Sequence, residues 1–139
     1  MSRYLALFLL FLAQYPRFET YRIARVFTGA PATPRLTTPE QRRNRSAIID
    51  GMRNGPNFAG HYIVVDWACG PGCIHHAIVD AKSGAVFAPP AGGELEYRPG
   101  SALMIVRTNC AAGNPAECDR DYFVWSDEKF ARIESTRRE

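Results

Sequence analysis

The segment from residue 55 to residue 80, GPNFAGHYIVVDWACGPGCIHHAIVD, contains most of the side chains that could perform chemistry. It holds all three histidines, two of the four cysteines, and the carboxylates of Asp66 and Asp80. These residue types suit three kinds of chemistry: disulfide formation, binding of a soft metal ion, and acid–base catalysis. No motif in the segment selects one of them, so the spacing of the residues has to decide.

The four cysteines, Cys69, Cys73, Cys110 and Cys118, are expected to form two disulfide bonds. Of the three possible pairings we expect the local one, Cys69 with Cys73 and Cys110 with Cys118. Each bond would close a short loop, for which chain entropy gives only about 2 to 2.5 kcal/mol. The bonds are therefore expected to restrain loops more than to stabilise the whole fold. On this interpretation the histidines are ordinary strand residues.

A metal or redox site is the first alternative. The thiolates of Cys69 and Cys73 are soft ligands that suit copper, and His75 or His76, with His61 from a neighbouring strand, would complete the set. Two observations count against it: adjacent histidines on a strand point to opposite faces, and zinc ligands more often have C-x-x-C spacing. A thiol redox role is weaker still. The cysteine motif of thiol–disulfide oxidoreductases normally begins a helix that lowers the thiol pKa, whereas a strand pattern follows Cys73.

Hydrolytic catalysis is the second alternative, with His61 and either Asp66 or Asp80 as the acid–base pair. No serine elbow or activated nucleophile accompanies these residues. The sequence therefore favours a His61 that is hydrogen-bonded within the sheet, and it indicates no cofactor.

The loop CAAGNPAEC, residues 110 to 118, is small and polar and is the candidate partner surface. We expect it to be exposed and constrained, with Asn114, Pro115 and Glu117 available for contact, because loops held on rigid scaffolds are common contact sites.

One helix is predicted among the elements that must position these residues. Thr38 is its expected N-cap, Pro39 suits the first helical position, and Gln41 is placed to complete a capping box. Gly55 and Pro56 should end it. The preceding segment, residues 29 to 39, contains three prolines and is expected to be an extended connector.

From residue 58 onward the sequence has the alternation of β-strands. GHYIVVDWA is apolar on both faces, which favours a central strand, and it is followed by CIHHAIVD and a hairpin loop at residues 81 to 84. LEYRPGSALMIVR and DYFVWSDEKFARI predict two further hairpins, the first turning at Pro99-Gly100 in a type II turn and the second at residues 126 to 129. The expected fold is mainly β (α+β), an antiparallel meander or sandwich with one capped N-terminal helix on a face or edge.

The first 13 residues, MSRYLALFLLFLA, have the layout of a secretory signal: a positive start and then an apolar run too short to span a bilayer. Cleavage after Ala13 would leave residues 14 to 139 as one β-rich domain, and a retained leader would favour membrane association. Because the net charge is only +3 and is dispersed, no nucleic-acid partner is predicted.

The strings FTGAPATPRLTTPEQRRNRSAI, GPNFAGHYIVVDWACGPGCIHHAIVDAKSGAVF and DYFVWSDEKFARI resemble a family of uncharacterised exported proteins of Gram-negative bacteria. That family carries a signal peptide, an FTG-x-P segment, a G-P-N-F-A-G-H-Y core, W-x-C-G-x-x-C and an A-I-V-D-x-x-T-G-like hairpin. The matching positions are Asn57, His61, Trp67, Cys69, Gly70, Cys73 and Asp80, with Ser83 where threonine is usual. The resemblance implies export and a single domain, and it carries no activity.

These observations together favour a periplasmic or secreted, disulfide-stabilised protein. The leading hypothesis is a non-enzymatic binding or accessory protein, or a subunit of an envelope complex, whose partner is another protein or an envelope component. Copper handling or thiol redox chemistry at Cys69 and Cys73, and hydrolysis centred on His61, remain the alternatives.

Overall fold

The structure, a computed structural model, describes residues 14–139. The predicted signal peptide, residues 1–13, lies outside the described residues. No helix within residues 14–139 is both long enough and apolar enough to cross a membrane.

Within residues 14–139, seven strands form two antiparallel sheets. The first sheet has the order β1-β2-β3, and the second has the order β4-β5-β6-β7. The strands are β1 Tyr62–Gly70, β2 Cys73–Asp80, β3 Val86–Phe87, β4 Glu94–Glu96, β5 Leu103–Thr108, β6 Asp119–Ser126 and β7 Lys129–Thr136. The predicted fold class, mainly β with successive hairpins, is confirmed.

The two sheets pack face to face around an aromatic core. Phe58 is fully buried at its centre, and Tyr62 and Val64 of β1 meet Met104 and Trp125 of the second sheet there. Alternation along β1 sends Ile63 and Val65 to the opposite face, as the sequence pattern predicts. Both faces of the first half of β1, residues 62 to 65, are therefore covered, whereas most of its second half is exposed.

Strand β1 nevertheless lies at an edge of its sheet, which corrects the expectation of a central strand. The prediction failed because two apolar faces show only that both faces of a strand are packed. They do not show whether the strand has a hydrogen-bonded neighbour on each side. At this edge the side chain of Asn57 replaces a neighbouring strand. Its Oδ1 accepts from the Val64 amide at 2.7 Å, and its Nδ2 donates to the Val64 carbonyl at 3.0 Å.

The predicted helix is present as two segments, α1 Pro39–Arg43 and α2 Arg45–Met52. The capping box of Thr38 and Gln41 forms as expected. The interruption at Asn44 was not predicted. Its backbone leaves the helical region, and its side-chain amide donates to the Glu40 carbonyl at 2.9 Å, so that asparagine competes with the helix for a backbone acceptor. Segment α2 packs its buried Ile48 and Met52 on the outer face of the first sheet.

Residues 18 to 35 form a strap that crosses the edges of both sheets. A single 3-10 turn, Phe18–Tyr21, covers the outer face of the second sheet, and hydrogen bonds then attach the chain to the loop before β5 and to the loops at the start of β1 and the end of β2. Along the strap, the amide of Ile23 donates to Gly100, that of Phe27 to Gly60, that of Ala32 to Ala81 and that of Arg35 to Gly84, each at 2.8 Å.

The predicted hairpin turns are present, but the one at Pro99-Gly100 is not of type II. A type II turn needs a positive φ at Gly100, and Gly100 has none. Both carbonyl groups of the turn are held by neighbouring segments. The Pro99 carbonyl accepts from the amide of Gly60, just before β1, and the Gly100 carbonyl accepts from the amide of Ile23 in the strap, each at 2.8 Å.

Candidate functional site

His61 and Asp80 form a hydrogen-bonded pair where β1 begins and β2 ends. The antiparallel register sets Tyr62 opposite Asp80, which brings the preceding His61 beside the carboxylate. The His61 Nδ1 to Asp80 Oδ1 distance is 2.7 Å, and the same oxygen accepts from the Lys82 amide at 2.8 Å. Asp66, the other candidate partner of His61, lies further along β1 and is not part of this pair.

Asp80 holds its charge despite being buried. Only 6% of the residue is exposed, and this burial by itself raises the pKa of the carboxyl group. The hydrogen bonds from His61 and from the Lys82 amide outweigh it, so that the pKa of Asp80 lies below its ordinary value. An ionised Asp80 makes Nδ1 of His61 the donor, which leaves Nε2 without a hydrogen-bond partner among residues 14–139.

A cavity of about 280 Å³ opens beside His61. The strap supplies one wall through Arg25, Phe27 and Thr28, and Gly60 and Lys82 supply the other. Throughout the described part of the chain, neither Arg25 nor Lys82 forms an ion pair, whereas Asp80 is matched by His61. The cavity therefore carries an excess of positive charge.

Gly60 allows the strap to approach the cavity closely. Its φ is +89°, and a Cβ there would lie 2.7 Å from Cγ2 of Ile23 and 3.0 Å from the carbonyl oxygen of Arg25. Only glycine fits both the backbone conformation and the contact, so the sequence Gly60-His61 fixes the strap and the imidazole together.

The second cluster lies at the opposite end of the β1–β2 hairpin. Cys69 and Cys73 form a disulfide, and a ring nitrogen of His75 lies within 4.8 Å of both sulfurs. His75 Nδ1 is hydrogen-bonded to Oε1 of Glu40. His61 cannot join this cluster, since eight residues of extended strand at about 3.3 Å each place it roughly 26 Å from Cys69.

His76 lies on the other face of β2 from His75, as expected for neighbours on a strand. Its Nδ1 is 2.6 Å from Oδ1 of Asp66, the cross-strand neighbour. Each of the three histidines in the sequence is thus paired with a carboxylate of its own.

The loop of residues 110 to 118 is closed by the Cys110–Cys118 disulfide, the second of the two local pairings. Pro115 and Glu117 are exposed, and Asn114 is half-buried, with its Oδ1 accepting from the Ala116 amide at 3.0 Å. Of these three residues, only Glu117 lines the adjacent cavity of about 580 Å³ near the C-terminus.

Sequence reasoning did not find Arg25, Lys82 or Glu40 as members of these clusters. Arg25 and Glu40 are far from their partners in sequence, and no local pattern connects them. Lys82 offered a signal, since a residue two places after a strand-ending aspartate is placed to donate its amide to that carboxylate.

Comparison with known proteins gives no relative from which a role could be transferred: no family model, no curated protein and no solved structure matches this chain.

Proposed function

We propose that this is an exported, disulfide-stabilised binding protein, and that the cavity beside His61 holds an anionic oxygen group of its ligand, a carboxylate or a phosphate. One observation carries the proposal: Arg25 and Lys82, two cations without ion-pair partners among residues 14–139, flank an imidazole that is fixed by a buried carboxylate. The apolar leader and the two local disulfides support export.

The size of the cavity sets the kind of ligand. At about 280 Å³ it is at the lower limit of small-molecule sites, so it suits one anionic group of a ligand better than a whole cofactor. Arg25 offers a planar guanidinium and Lys82 a compact point charge for the anion, and the free Nε2 of His61, an acceptor when Nδ1 holds the proton, can accept from a hydroxyl group of the ligand. A free metabolite and an acidic group of a partner protein would be held in the same way.

The test is a titration of the full-length protein with inorganic phosphate or N-acetylglycine at constant ionic strength. Binding is measured by the change in the backbone amide chemical shifts. We expect saturable shifts at Gly29, Gly60 and Lys82, because these residues lie at the cavity. Saturation by only one probe identifies the anion class. Shifts that are unsaturable with both probes, or that spread evenly over the surface, would contradict the proposal.

The chain supplies its own matched control. Lys82 and Lys129 are its only lysines, both are exposed, and Lys129 lies at the start of β7, outside the cavity. Lys82→Gln should weaken anion binding by roughly tenfold, on the basis of about 1.4 kcal/mol for one charge-assisted hydrogen bond, while Lys129→Gln should leave it unchanged. Arg25→Gln and the exposed Arg43→Gln form a second such pair.

Acid–base catalysis is the second candidate function, and the His61–Asp80 hydrogen bond is the observation that favours it. A carboxylate that holds Nδ1 of a histidine leaves Nε2 to take a proton from water or from a hydroxyl group. Thr28 is the one hydroxyl side chain among the residues that line the cavity.

Turnover distinguishes the two functions. Hydrolysis of p-nitrophenyl phosphate or p-nitrophenyl acetate that is lost in His61→Ala and falls by about 10²- to 10⁴-fold in Asp80→Asn would establish the enzyme. Saturable anion binding without turnover would leave binding as the function.

A further inference from the structure

The tip of the β1–β2 hairpin brings three metal-ligating side chains together. The register pairs Gly70 with Cys73 and Trp67 with His75, and it is interrupted at Cys69, between Ala68 and Gly70. Both sulfurs and a ring nitrogen of His75 lie within 4.8 Å of one another. In the part of the chain that the structure describes, no other set of three histidine, cysteine or acidic ligands is so close.

Glu40 supplies the outer contact that metal-bound histidines usually have. Its carboxylate, on the first turn of α1, is hydrogen-bonded to Nδ1 of His75. A carboxylate on one ring nitrogen fixes the tautomer and leaves the other nitrogen to bind a metal. The ring of Trp67 packs against the ring of His75 with centroids 5.9 Å apart and an angle of 64°, which further restricts the imidazole.

We propose that reduction of the Cys69–Cys73 disulfide creates a copper(I) site, formed by the two thiolates and Nε2 of His75, with Glu40 as a positioning residue. A dithiol reductant donates two electrons and two protons, the S–S bond breaks, and the reductant is released as its own disulfide. Copper(I) then displaces the two thiol protons without changing its oxidation state.

The donor set favours copper(I) over zinc. Two thiolates and one imidazole are soft to intermediate ligands, which copper(I) accepts in a three-coordinate site, whereas structural zinc sites almost always use four protein ligands. Cys69 is exposed, so a reductant can reach the bond. The oxidation state of one disulfide thus decides whether the metal binds, and this holds whether or not the distant His61 cavity binds anions.

The experiment is anaerobic competition for copper(I) between the full-length protein and bicinchoninate, whose copper complex is coloured. Protein reduced by a phosphine should withdraw one copper ion per chain, and the oxidised protein none. The Cys110→Ser/Cys118→Ser variant, once reduced, should withdraw as much copper as the reduced wild-type protein, because it keeps the proposed ligands. Cys69→Ser should lose the site.

Variants of the histidine and its partner separate a positioned ligand from nonspecific thiol binding. Glu40→Gln should weaken copper(I) binding by about 10- to 100-fold, the range found for outer contacts of metal-bound histidines, and His75→Ala at least as much. His76→Ala is the matched control and should have no effect, since His76 lies on the other face of β2. Unchanged affinity in His75→Ala, or preferential binding of zinc, would overturn the proposal.

A second readout covers any variant that folds poorly. Bound copper(I) should slow alkylation of Cys69 and Cys73 by iodoacetamide and leave Cys110 and Cys118 as reactive as before, when the modified peptides are measured by mass. Equal protection of all four cysteines, or of none, would also overturn the site.

Discussion

The buried carboxylate of Asp80 is the residue on which the candidate site depends most. It accepts hydrogen bonds from the His61 ring and from the Lys82 amide, and so joins the start of β1 to the loop that follows β2. A charge at this depth persists only where it is paired and hydrogen-bonded, and here both conditions hold. The same contacts therefore stabilise the fold and orient the imidazole toward the cavity.

Asp80→Asn should lower the free energy of unfolding by about 1 to 3 kcal/mol at pH 7, because a neutral amide weakens two hydrogen bonds to a buried group. The folded-state pKa of Asp80 lies below its ordinary value of 3.8, so its contribution is complete above that pH and is lost as pH falls through the folded pKa. Urea unfolding of both proteins between pH 7 and pH 2 should show the difference shrink below about pH 4. A difference that is constant across this range would mean that the charge is not responsible.

The sequence indicated which side chains have types suited to chemistry, but not how they are grouped in the fold. It offered His61, Asp80, Cys69, Cys73 and His75 as candidates because of their types, while it favoured structural disulfides and ordinary strand histidines. It left His61 between two aspartates and allowed it to join the cysteines, because the strand register that places Asp80 beside it and the cysteines at the other end becomes visible only when the strands are paired.

At the scale of single elements, the edge of β1 shows how a side chain replaces a missing strand. Val64 is almost fully buried, yet its amide and carbonyl groups face the side of β1 where no other strand of the described residues lies. Asn57 satisfies both groups with one amide. Asparagine fits this role because its side chain offers a donor and an acceptor side by side.

Asn57→Ala should therefore destabilise the protein by about 1 to 3 kcal/mol, since it leaves a buried backbone donor and a buried acceptor unpaired. Asn54→Ala, at an exposed position, is the control and should change the unfolding free energy by less than about 0.5 kcal/mol. Urea unfolding measures both. Equal effects of the two substitutions would show that the Asn57 contacts to Val64 do not contribute.

The β6–β7 turn contains a local strain that substitution should relieve. Asp127 and Glu128 have φ angles of +51° and +59°, the pair of positive values that a type I′ hairpin turn requires. Asn-Gly is the preferred sequence for such a turn, so Asp127→Asn/Glu128→Gly should raise stability by about 0.5 to 2 kcal/mol. Glu134→Gly is the control, at an exposed position within β7 where φ is not positive. It should lower the stability, because glycine there only loses more conformational freedom on folding. Thermal melts measure both variants.

At the scale of the whole molecule, the sequence predicted the sandwich and the hairpins, because alternation and turn residues are local signals. The break at Asn44, the edge position of β1 and the geometry of the Pro99-Gly100 turn were missed. The edge of β1 and the turn depend on contacts made after the elements meet, Asn57 with Val64 and Pro99 with Gly60. The break at Asn44 is local, since its side chain competes for the Glu40 carbonyl four residues earlier, and no sequence pattern marked that competition.

Only the last part of the strap was predicted, within the extended connector of residues 29 to 39, yet the strap as a whole contacts both sheets and forms one wall of the cavity. Its last part lies directly on Gly84, whose carbonyl accepts from the Arg35 amide at 2.8 Å. A Cβ on Gly84 would lie 2.1 Å from the carbonyl oxygen of Thr33, so any side chain there must displace the strap.

Gly84→Ala tests this arrangement against a control with the same backbone conformation. Gly113 has a φ of +75°, close to the +80° of Gly84, but a Cβ there would meet nothing within 4 Å. Both substitutions carry the left-handed backbone cost of about 1 to 2 kcal/mol, and only Gly84→Ala adds the cost of forcing the strap away, about 1 to 3 kcal/mol more. Because Arg25 and Phe27 belong to the same strap, Gly84→Ala should also shift the amide resonances at the His61 cavity, and Gly113→Ala should not. Equal destabilisation by the two variants would mean that the strap moves away from Gly84 at no cost in free energy. The contact between the strap and Gly60 would then be the one that fixes the shape of the cavity.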